Sequence, residues 1–430
     1  MEEVKMKKQL LKGIVVLLCL AFLSMPAMAR DNADHVYVAP NAIGDLLVYP
    51  MYFAAQGLDT NFAVINTSDS LSVVAKVVVR SHKYSQELLD FLIFLSPNDE
   101  FKATLKYEGG KYILTSTDDS LCSSGTCATV AVPKVFTLAT PCDGIVDDAS
   151  YGYVEVIEAA AFSLPKETDG DAVGTVLKAD IIDAYDAVSD SDIQEENHPV
   201  DVLAGFGELV FPGADYTTFM PTVFANYRNR TKLTIAVLTK IGEGANNNLC
   251  EVEAALSKNN LVMPYYKDDA QVAIPVLTFP TKLSTCPPDP TAEGPFFAAA
   301  FDPQYGLYTY DMSEHKKIPE TCDHSPCPEH DPSTLDEEVN IFIIDSIFSE
   351  GWARGVFGQT TTCAALAAGS TINYSGAPVI ANVIELTTNG LSVIPAPYDF
   401  GAVTYSPASG TAATAMPCYQ RCPGEALPAE

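Results

Sequence analysis

Short runs of β-branched and aromatic residues, each cut off by a cluster of turn formers, constrain this chain more than any other feature. Leu46 to Phe53 is apolar and aromatic, Asn61 to Ile65 follows, and Asn66-Thr-Ser-Asp-Ser70 marks a turn before the valine-rich stretch Ser72 to Arg80. Such side chains suit a pleated, half-buried surface, so the runs read as antiparallel strands joined by loops. Glu87 to Phe91 has the composition of a helix start, but Phe91-Leu-Ile-Phe-Leu95, stopped by Ser96-Pro-Asn-Asp99, favours a buried strand. Phe101 to Leu105 and Lys111 to Thr115 continue the series. Strands this short and this regularly punctuated predict a mainly β chain. The expected architecture is an antiparallel β-sandwich, immunoglobulin-like or jelly-roll-like, with a few short helices and long disulfide-stapled loops.

The first 29 residues have the layout of a secretory signal peptide. Lys5, Lys7, Lys8 and Lys12 form a basic region, Ile14 to Leu23 an apolar one, and Ala27-Met28-Ala29 a small-x-small cleavage site. The apolar stretch is too short for a membrane span, and no later run reaches the ~18 residues of a membrane helix. The expectation is an exported protein of the cell surface, the periplasm or the extracellular space. Export makes cysteines readable as disulfides. Setting Cys19 aside with the leader, ten remain: Cys122, Cys127, Cys142, Cys250, Cys286, Cys322, Cys327, Cys363, Cys418 and Cys422. An even number suits complete pairing.

Removing the leader takes four lysines and two glutamates, which leaves 21 basic against 53 acidic residues. A field of that sign repels nucleic acid and anionic lipid, and it favours solubility and divalent cations. Residues 30–165 are expected to form an N-terminal β-sandwich. Residues 166–430 form a second β-rich part that begins with the acidic 165–201 stretch and contains a Cys/Pro-rich loop at 284–338. Asp180 to Ala187 and Cys250 to Ser257 have helical spacing. Tyr151 to Glu158, Leu203 to Phe211, Phe219 to Asn226, Lys232 to Lys240 and Val272 to Pro280 read as strands, with Pro275 indicating an edge or bulge. Val339 to Ile347, Gly351 to Phe357, Pro378 to Leu386 and Leu391 to Ile394 complete the pattern.

Several stretches, taken together and in order, resemble a family of uncharacterised exported bacterial proteins. They are Leu47-Val-Tyr-Pro-Met-Tyr52, Val64-Ile-Asn-Thr-Ser-Asp69, Glu87-Leu-Leu-Asp-Phe91 through Leu95-Ser-Pro-Asn-Asp99, and Gly152-Tyr-Val-Glu-Val-Ile-Glu158. Val252-Glu-Ala-Ala-Leu256, Leu277-Thr-Phe-Pro-Thr-Lys282 and Gly351-Trp352 extend the likeness. The resemblance implies an exported, β-rich surface or periplasmic protein and carries no activity to any residue.

The chain offers few constellations for chemistry. Cys322-Asp-His324-Ser-Pro-Cys327-Pro-Glu-His330 places two thiols and two imidazoles within nine residues, a candidate zinc tetrad at Cys322, His324, Cys327 and His330. Export favours disulfides there instead. Asp169 with Asp171 and Asp190 with Asp192 supply hard oxygen ligands of the kind calcium takes, as do Asp118-Asp119 and Asp268-Asp269. Calcium is therefore the one cofactor kept open. Glu155 and Glu158 form a carboxylate pair of the glycosidase type, but residues three apart on a strand point to opposite faces. Trp352 reads as a core anchor at a strand start, with a ligand platform as the alternative. No catalytic serine elbow or phosphate-cradling glycine loop occurs.

The sequence therefore predicts a non-enzymatic structural or interaction protein of the bacterial envelope or cell surface. Its partner would be itself or another envelope component, not nucleic acid. Two alternatives stay open: a secreted carbohydrate-active hydrolase or carbohydrate-binding module, and a divalent-metal-binding surface protein.

Overall fold

The valine-rich and aromatic runs are strands. In chain order they are β1 (Tyr37–Val38), β2 (Leu46–Phe53), β3 (Asp59–Asn66), β4 (Ser72–Ser81), β5 (Glu87–Leu95) and β6 (Glu100–Glu108). β7 (Lys111–Ser116), β8 (Lys134–Thr137), β9 (Tyr151–Phe162), β10 (Leu203–Val210), β11 (Tyr216–Phe219) and β12 (Thr222–Ala225) follow. The computed structural model describes residues 35–121 except 56 and 84, 134–140, 145–168, 173–188, 193, 195–211, 216–229, 231–234, 241 and 249–266. It further describes 271–281, 305–311, 317–318, 339–341, 350–357, 360–364, 370–387 and 390–407. Val36–Glu430 is one unit and Met1–His35 another, and of the latter only His35 is described.

Two six-stranded antiparallel sheets pack face to face. The first runs β1-β12-β2-β9-β4-β5 and the second β11-β10-β3-β6-β7-β8. Both take strands from either side of residue 165: β10 pairs β3 from Leu203↔Asn66 to Val210↔Asp59, and β12 pairs β2. Aromatic side chains fill the space between the sheets. Tyr49 of β2 meets Phe62 of β3 with ring centroids 5.5 Å apart, and Phe101 of β6 lies 6.1 Å from Phe62 and 5.7 Å from Phe91 of β5. Tilted and edge-on contacts of this kind add to the gain from burying the rings.

All ten residues of β4 are buried, and so are eleven of the twelve in β9. Half-exposed strands alternate, whereas strands covered on both faces read as continuous apolar runs. The outer cover of the first sheet includes a helix, α1 (Lys178–Asp186), whose Tyr185 stands edge-on to Phe94 and Phe162 at 6.4 and 6.5 Å. Lys178, its first residue, pins it in place. The ammonium pairs with Asp99, donates to Phe94 O at 2.9 Å and reaches Ser120 Oγ at 3.0 Å.

Gly205 of β10 shows how tightly the sandwich closes. The Tyr49 hydroxyl crosses between the sheets to donate to Ala63 O. A Cβ on Gly205 would lie 2.0 Å from that hydroxyl and 2.5 Å from Ala63 O. Gly205→Ala is therefore expected to lower the unfolding free energy by roughly 1–3 kcal/mol, the usual cost of overpacking. Urea denaturation followed by tyrosine fluorescence measures it, and an unchanged midpoint would contradict the packing described.

From residue 249 onward the described residues build three further antiparallel sheets, of six, four and three strands. A second helix, α2 (Leu249–Leu256), runs directly into β13 (Ser257–Tyr266), followed by β14 (Gln271–Thr278), β15 (Tyr305–Asp311) and β16 (Lys317–Ile318). Next come β17 (Val339–Ile341), β18 (Glu350–Phe357), β19 (Thr360–Ala364), β20 (Ser370–Ser375) and β21 (Ala377–Pro378). The last are β22 (Ile380–Thr387), β23 (Gly390–Pro395), β24 (Tyr398–Phe400) and β25 (Val403–Pro407). One sheet is β16-β15-β18-β13-β21 with β24 added to β13, another is β17-β14-β22-β23, and the third is β19-β20-β25. This part joins the sandwich through hydrogen bonds. Thr278 Oγ1 donates to Pro50 O, and Val339 N donates to His82 O at 3.2 Å.

The ambiguity at Glu87 to Phe91 resolves as the strand reading favoured, because Leu88, Phe91 and Ile93 all find buried sites in the paired β5. Two other sequence expectations need adjustment. Residues 232–234 are not a strand; their backbone instead supplies carbonyl acceptors, Thr234 O to Lys76 and Leu233 O to Tyr185. Residues 219–226 form not one strand but the end of β11 and the whole of β12, which lie in different sheets. Pro275 behaves as its missing N–H requires: β22 pairs along the whole of β14, while β17 pairs only with Val276, Leu277 and Thr278.

Candidate functional site

The structure separates the Glu155–Glu158 carboxylate pair. Glu155 stands opposite Val78 and Glu158 opposite Ala75, with regular pairing between, so the two side chains leave β9 on opposite faces. The strand does carry an irregularity, but it lies beyond Glu158, between Val74 and Ala75 of the partner, and does not reunite them. Each carboxylate is engaged inside the protein. Trp352 is half-buried in the middle of a sheet, where β18 pairs its position with Pro264 of β13 and Tyr310 of β15.

Asp118 serves a turn: its carboxylate accepts Lys102 N at 3.2 Å and Ser120 N at 2.8 Å. Asp169, Asp171, Asp190, Asp192 and Asp268-Asp269 lie outside the described residues, as do Cys322, His324, Cys327 and His330. Among the described residues no group of three or more His, Cys, Asp or Glu side chains is placed to hold a metal ion. Cys250 is disulfide-bonded, while Cys363 is described only through its backbone in β19. Cys122, Cys127, Cys142, Cys286, Cys418 and Cys422 also lie outside the described residues.

Glu155 belongs to a buried ion pair. Arg80 Nε donates to Glu155 Oε2 at 2.7 Å, with both side chains no more than 2% exposed. Arg80 Nη1 donates to Ser85 O at 3.0 Å, and Tyr153 Oη donates to Ser85 Oγ at 2.7 Å. Burial opposes the guanidinium charge, yet Glu155 holds its pKa above the usual arginine value. Lys76, in the same strand, is equally enclosed and pairs with Asp90 at 2.6 Å while donating to Thr234 O at 2.8 Å. These buried charges tie neighbouring strands of the first sheet to one another, and Lys76 also holds the 232–234 segment against it.

A second cluster is acidic. The Asp45 carboxylate accepts Tyr227 N at 2.9 Å and Arg228 N at 2.6 Å, which fixes the chain just after β12. Glu158 Oε1 accepts Val200 N at 2.7 Å, and its backbone N donates to Asp45 O at 2.9 Å. Glu158 Oε2 is buried without a hydrogen-bond partner. Burial, then the neighbouring Asp201 charge, pushes the Asp45 carboxyl up to about 7 against the pull of its N–H donors. Burial and Asp45 push Glu158 well above the usual carboxylate range.

The third concentration surrounds the junction of α2 and β13. All eight residues of α2 are buried, its two glutamates included. Glu251 Oε2 accepts Val36 N at 3.0 Å, and Glu253 Oε2 accepts the Tyr374 hydroxyl at 2.9 Å. Burial raises the Glu253 carboxyl to about 7. Two residues into β13, Lys258 has neighbours on both sides, Ala377 of β21 and Phe400 of β24. Its ammonium nitrogen lies 4.3 Å from the Tyr398 ring centroid and 4.5 Å from that of Phe400, and the residue is 6% exposed. The two rings meet edge-on at 4.7 Å and are themselves about half exposed. Burial lowers the Lys258 amine to about 7, and no carboxylate among the described residues pairs with it.

The backbone makes this enclosure possible. Gly376, at φ +91°, lets the turn between β20 and β21 run against Lys258, where a Cβ would meet Lys258 O at 2.1 Å. Asn259 Nδ2 donates to Phe400 O at 3.3 Å and Ser375 Oγ donates to Asn259 Oδ1 at 3.0 Å, which holds β24 and the turn in register. Sequence reading passed over Lys258 because its cage is assembled from residues some 140 positions apart. A lysine followed by two asparagines, and a Tyr-Asp-Phe triplet near the C-terminus, give no sign that they meet.

The fold defines the class: a mainly β protein of antiparallel sheets, two of them packed as a sandwich, with two α-helices among the described residues. No protein-family description, no curated protein and no solved structure matches the chain.

Proposed function

We propose that the chain is an exported, non-enzymatic structural or interaction protein of the bacterial envelope or cell surface that associates with itself or with another surface component. The sandwich belongs, in this reading, to the jelly-roll-like or immunoglobulin-like kind, with loops stapled by disulfides. The repeated crossing of the chain between its two main sheets and the bonded state of Cys250 are in keeping with that.

The observation that carries the proposal is the condition of the sheet ends. The second sheet ends in β11 and β8, short strands with no further ladder partner among the described residues, β11 lying beside β23 and β8 forming the other end. Tyr216 in β11, Met220 just after it and Val135 in β8 are 67, 58 and 56% exposed. An edge strand bearing apolar side chains is a template for strand addition from a neighbour. Of the two carboxylates of the hydrolase reading, Glu155 is paired with Arg80 and Glu158 leaves the strand on the opposite face.

Native purification followed by fractionation and light scattering tests the proposal. The expected result is retention in the envelope or surface fraction and a species larger than one chain, which Tyr216→Lys with Val135→Lys dissociates. A strictly monomeric protein without surface retention would overturn it.

A further inference from the structure

The Lys258 cage has no part in strand addition, and a buried lysine with no carboxylate partner among the described residues is costly unless it stays neutral. The environment is unusual in a specific way. Most enclosed lysines acquire a carboxylate, as Lys76 does with Asp90. Lys258 has instead two aromatic faces, each within 5 Å of the nitrogen, and a backbone turn pressed against its own carbonyl through Gly376. The rings are about half exposed, whereas Lys258 is 6% exposed. Exposed side chains change rotamer in picoseconds to nanoseconds, so rotation of Tyr398 and Phe400 is the route by which a small molecule would reach the amine.

We propose that Lys258 is a nucleophilic amine site that forms an imine with small, uncharged aldehydes or ketones, with Tyr398 and Phe400 as the binding walls. The neutral amine supplies the electron pair, and desolvation beneath the rings keeps a large fraction of it neutral near pH 7. Nitrogen attacks the carbonyl carbon, and the C–N bond forms as the C=O π pair moves to oxygen and takes up a proton in exchange for one nitrogen gives up. The carbinolamine then loses its hydroxyl with the second N–H proton as one water, which leaves the imine. No oxidant or reductant is consumed. When the product is protonated, its positive charge lies over the same two ring faces that held the ammonium, a placement cation–π attraction favours. The ligand class follows from charge as well as shape. The chain carries a formal net charge of −30, which repels anionic carbonyl compounds, while the rings offer apolar area to an alkyl or aryl tail.

The test uses the full exported chain with propanal at neutral pH and cyanoborohydride to trap the imine, followed by peptide mass spectrometry. A site of this kind labels at Lys258 on the order of 100-fold faster than exposed lysines, because a far larger share of its amine is unprotonated. The rate at Lys258 should reach half its plateau near pH 7 and fall sharply with glyoxylate as an anionic probe of the same reaction. Phe400→Ala, which opens the cage while leaving the backbone partner of Asn259 in place, should return the labelling profile toward that of an exposed lysine. Lys258→Arg should abolish the fast phase only. Labelling of Lys258 no faster than that of exposed lysines overturns the proposal, and so does a fast phase unaffected in Phe400→Ala.

Discussion

Glu155→Ala should lower the unfolding free energy by about 3–5 kcal/mol, the penalty for leaving a buried charge without its partner. Arg80 keeps the charge of Glu87 nearby but loses its direct ion-pair partner. Its Nε loses an acceptor at 2.7 Å, and its Nη1 bond to Ser85 O cannot neutralise a guanidinium that is 2% exposed. Ser85 itself sits at φ +46° in the turn from β4 to β5 and receives the Tyr153 hydroxyl, so the disturbance spreads to the turn. Replacing both partners with apolar residues of similar volume, Arg80→Met with Glu155→Leu, should recover most of the loss, because it removes the desolvation cost along with the attraction. Equilibrium urea denaturation of the two single variants and the double variant measures the coupling. A single-variant cost below about 1 kcal/mol would place the pair with weak surface bridges and refute its role in the core.

The buried acids should make the protein more stable in mild acid than at pH 8, the reverse of a fold held by ionised carboxylates. The folded-state value of Asp45 is about 7 against an ordinary 3.8, and Glu158 moves in the same direction. A carboxyl raised by folding binds its proton more tightly in the native state. Its stabilisation is fully present below the ordinary value and is lost as pH rises from there through the folded value. The window is therefore about pH 4 to 7, and the loss across it is of the order of a few kcal/mol at about 1.4 kcal/mol per unit. Repulsion within the acidic surface changes in the same direction, so the comparison must be with a variant. Glu158→Gln keeps an oxygen to accept Val200 N and removes the charge. It should gain roughly 1–3 kcal/mol at pH 8 and little at pH 5. Thermal unfolding of both proteins across this range reads the difference directly, and two parallel curves would rule out the buried pair as its source.

Local composition made much of the fold legible. The turn at Asn66–Ser70 and the valine run behind it correspond to β3 and β4, and the helical spacing near 180 and 250 corresponds to α1 and α2. The opposed faces of Glu155 and Glu158 also followed from the two-residue period of a strand. Other outcomes depended on neighbours. Glu87 to Phe91 is helix-compatible alone and became β5 because β4 offered it a full ladder. Residues 219–226 read as a single run, yet Phe219 ends a strand of one sheet and Thr222 begins a strand of the other.

By itself the sequence determined that this chain would be built from short antiparallel strands, since β-branched and aromatic runs between turn formers have few other ways to bury their apolar area. Only the tertiary structure decided what its charged residues do. Arg80, Asp45 and Lys258 look in sequence like members of an ordinary polar complement, and Glu155 and Glu158 like a carboxylate pair. Burial gives each a different fate: a paired charge for Arg80 and Glu155, elevated carboxyls for Asp45 and Glu158, and a lowered amine between two rings for Lys258. The physical reason is that desolvation and its compensation depend on partners brought together from distant parts of the chain, and no local pattern encodes that meeting.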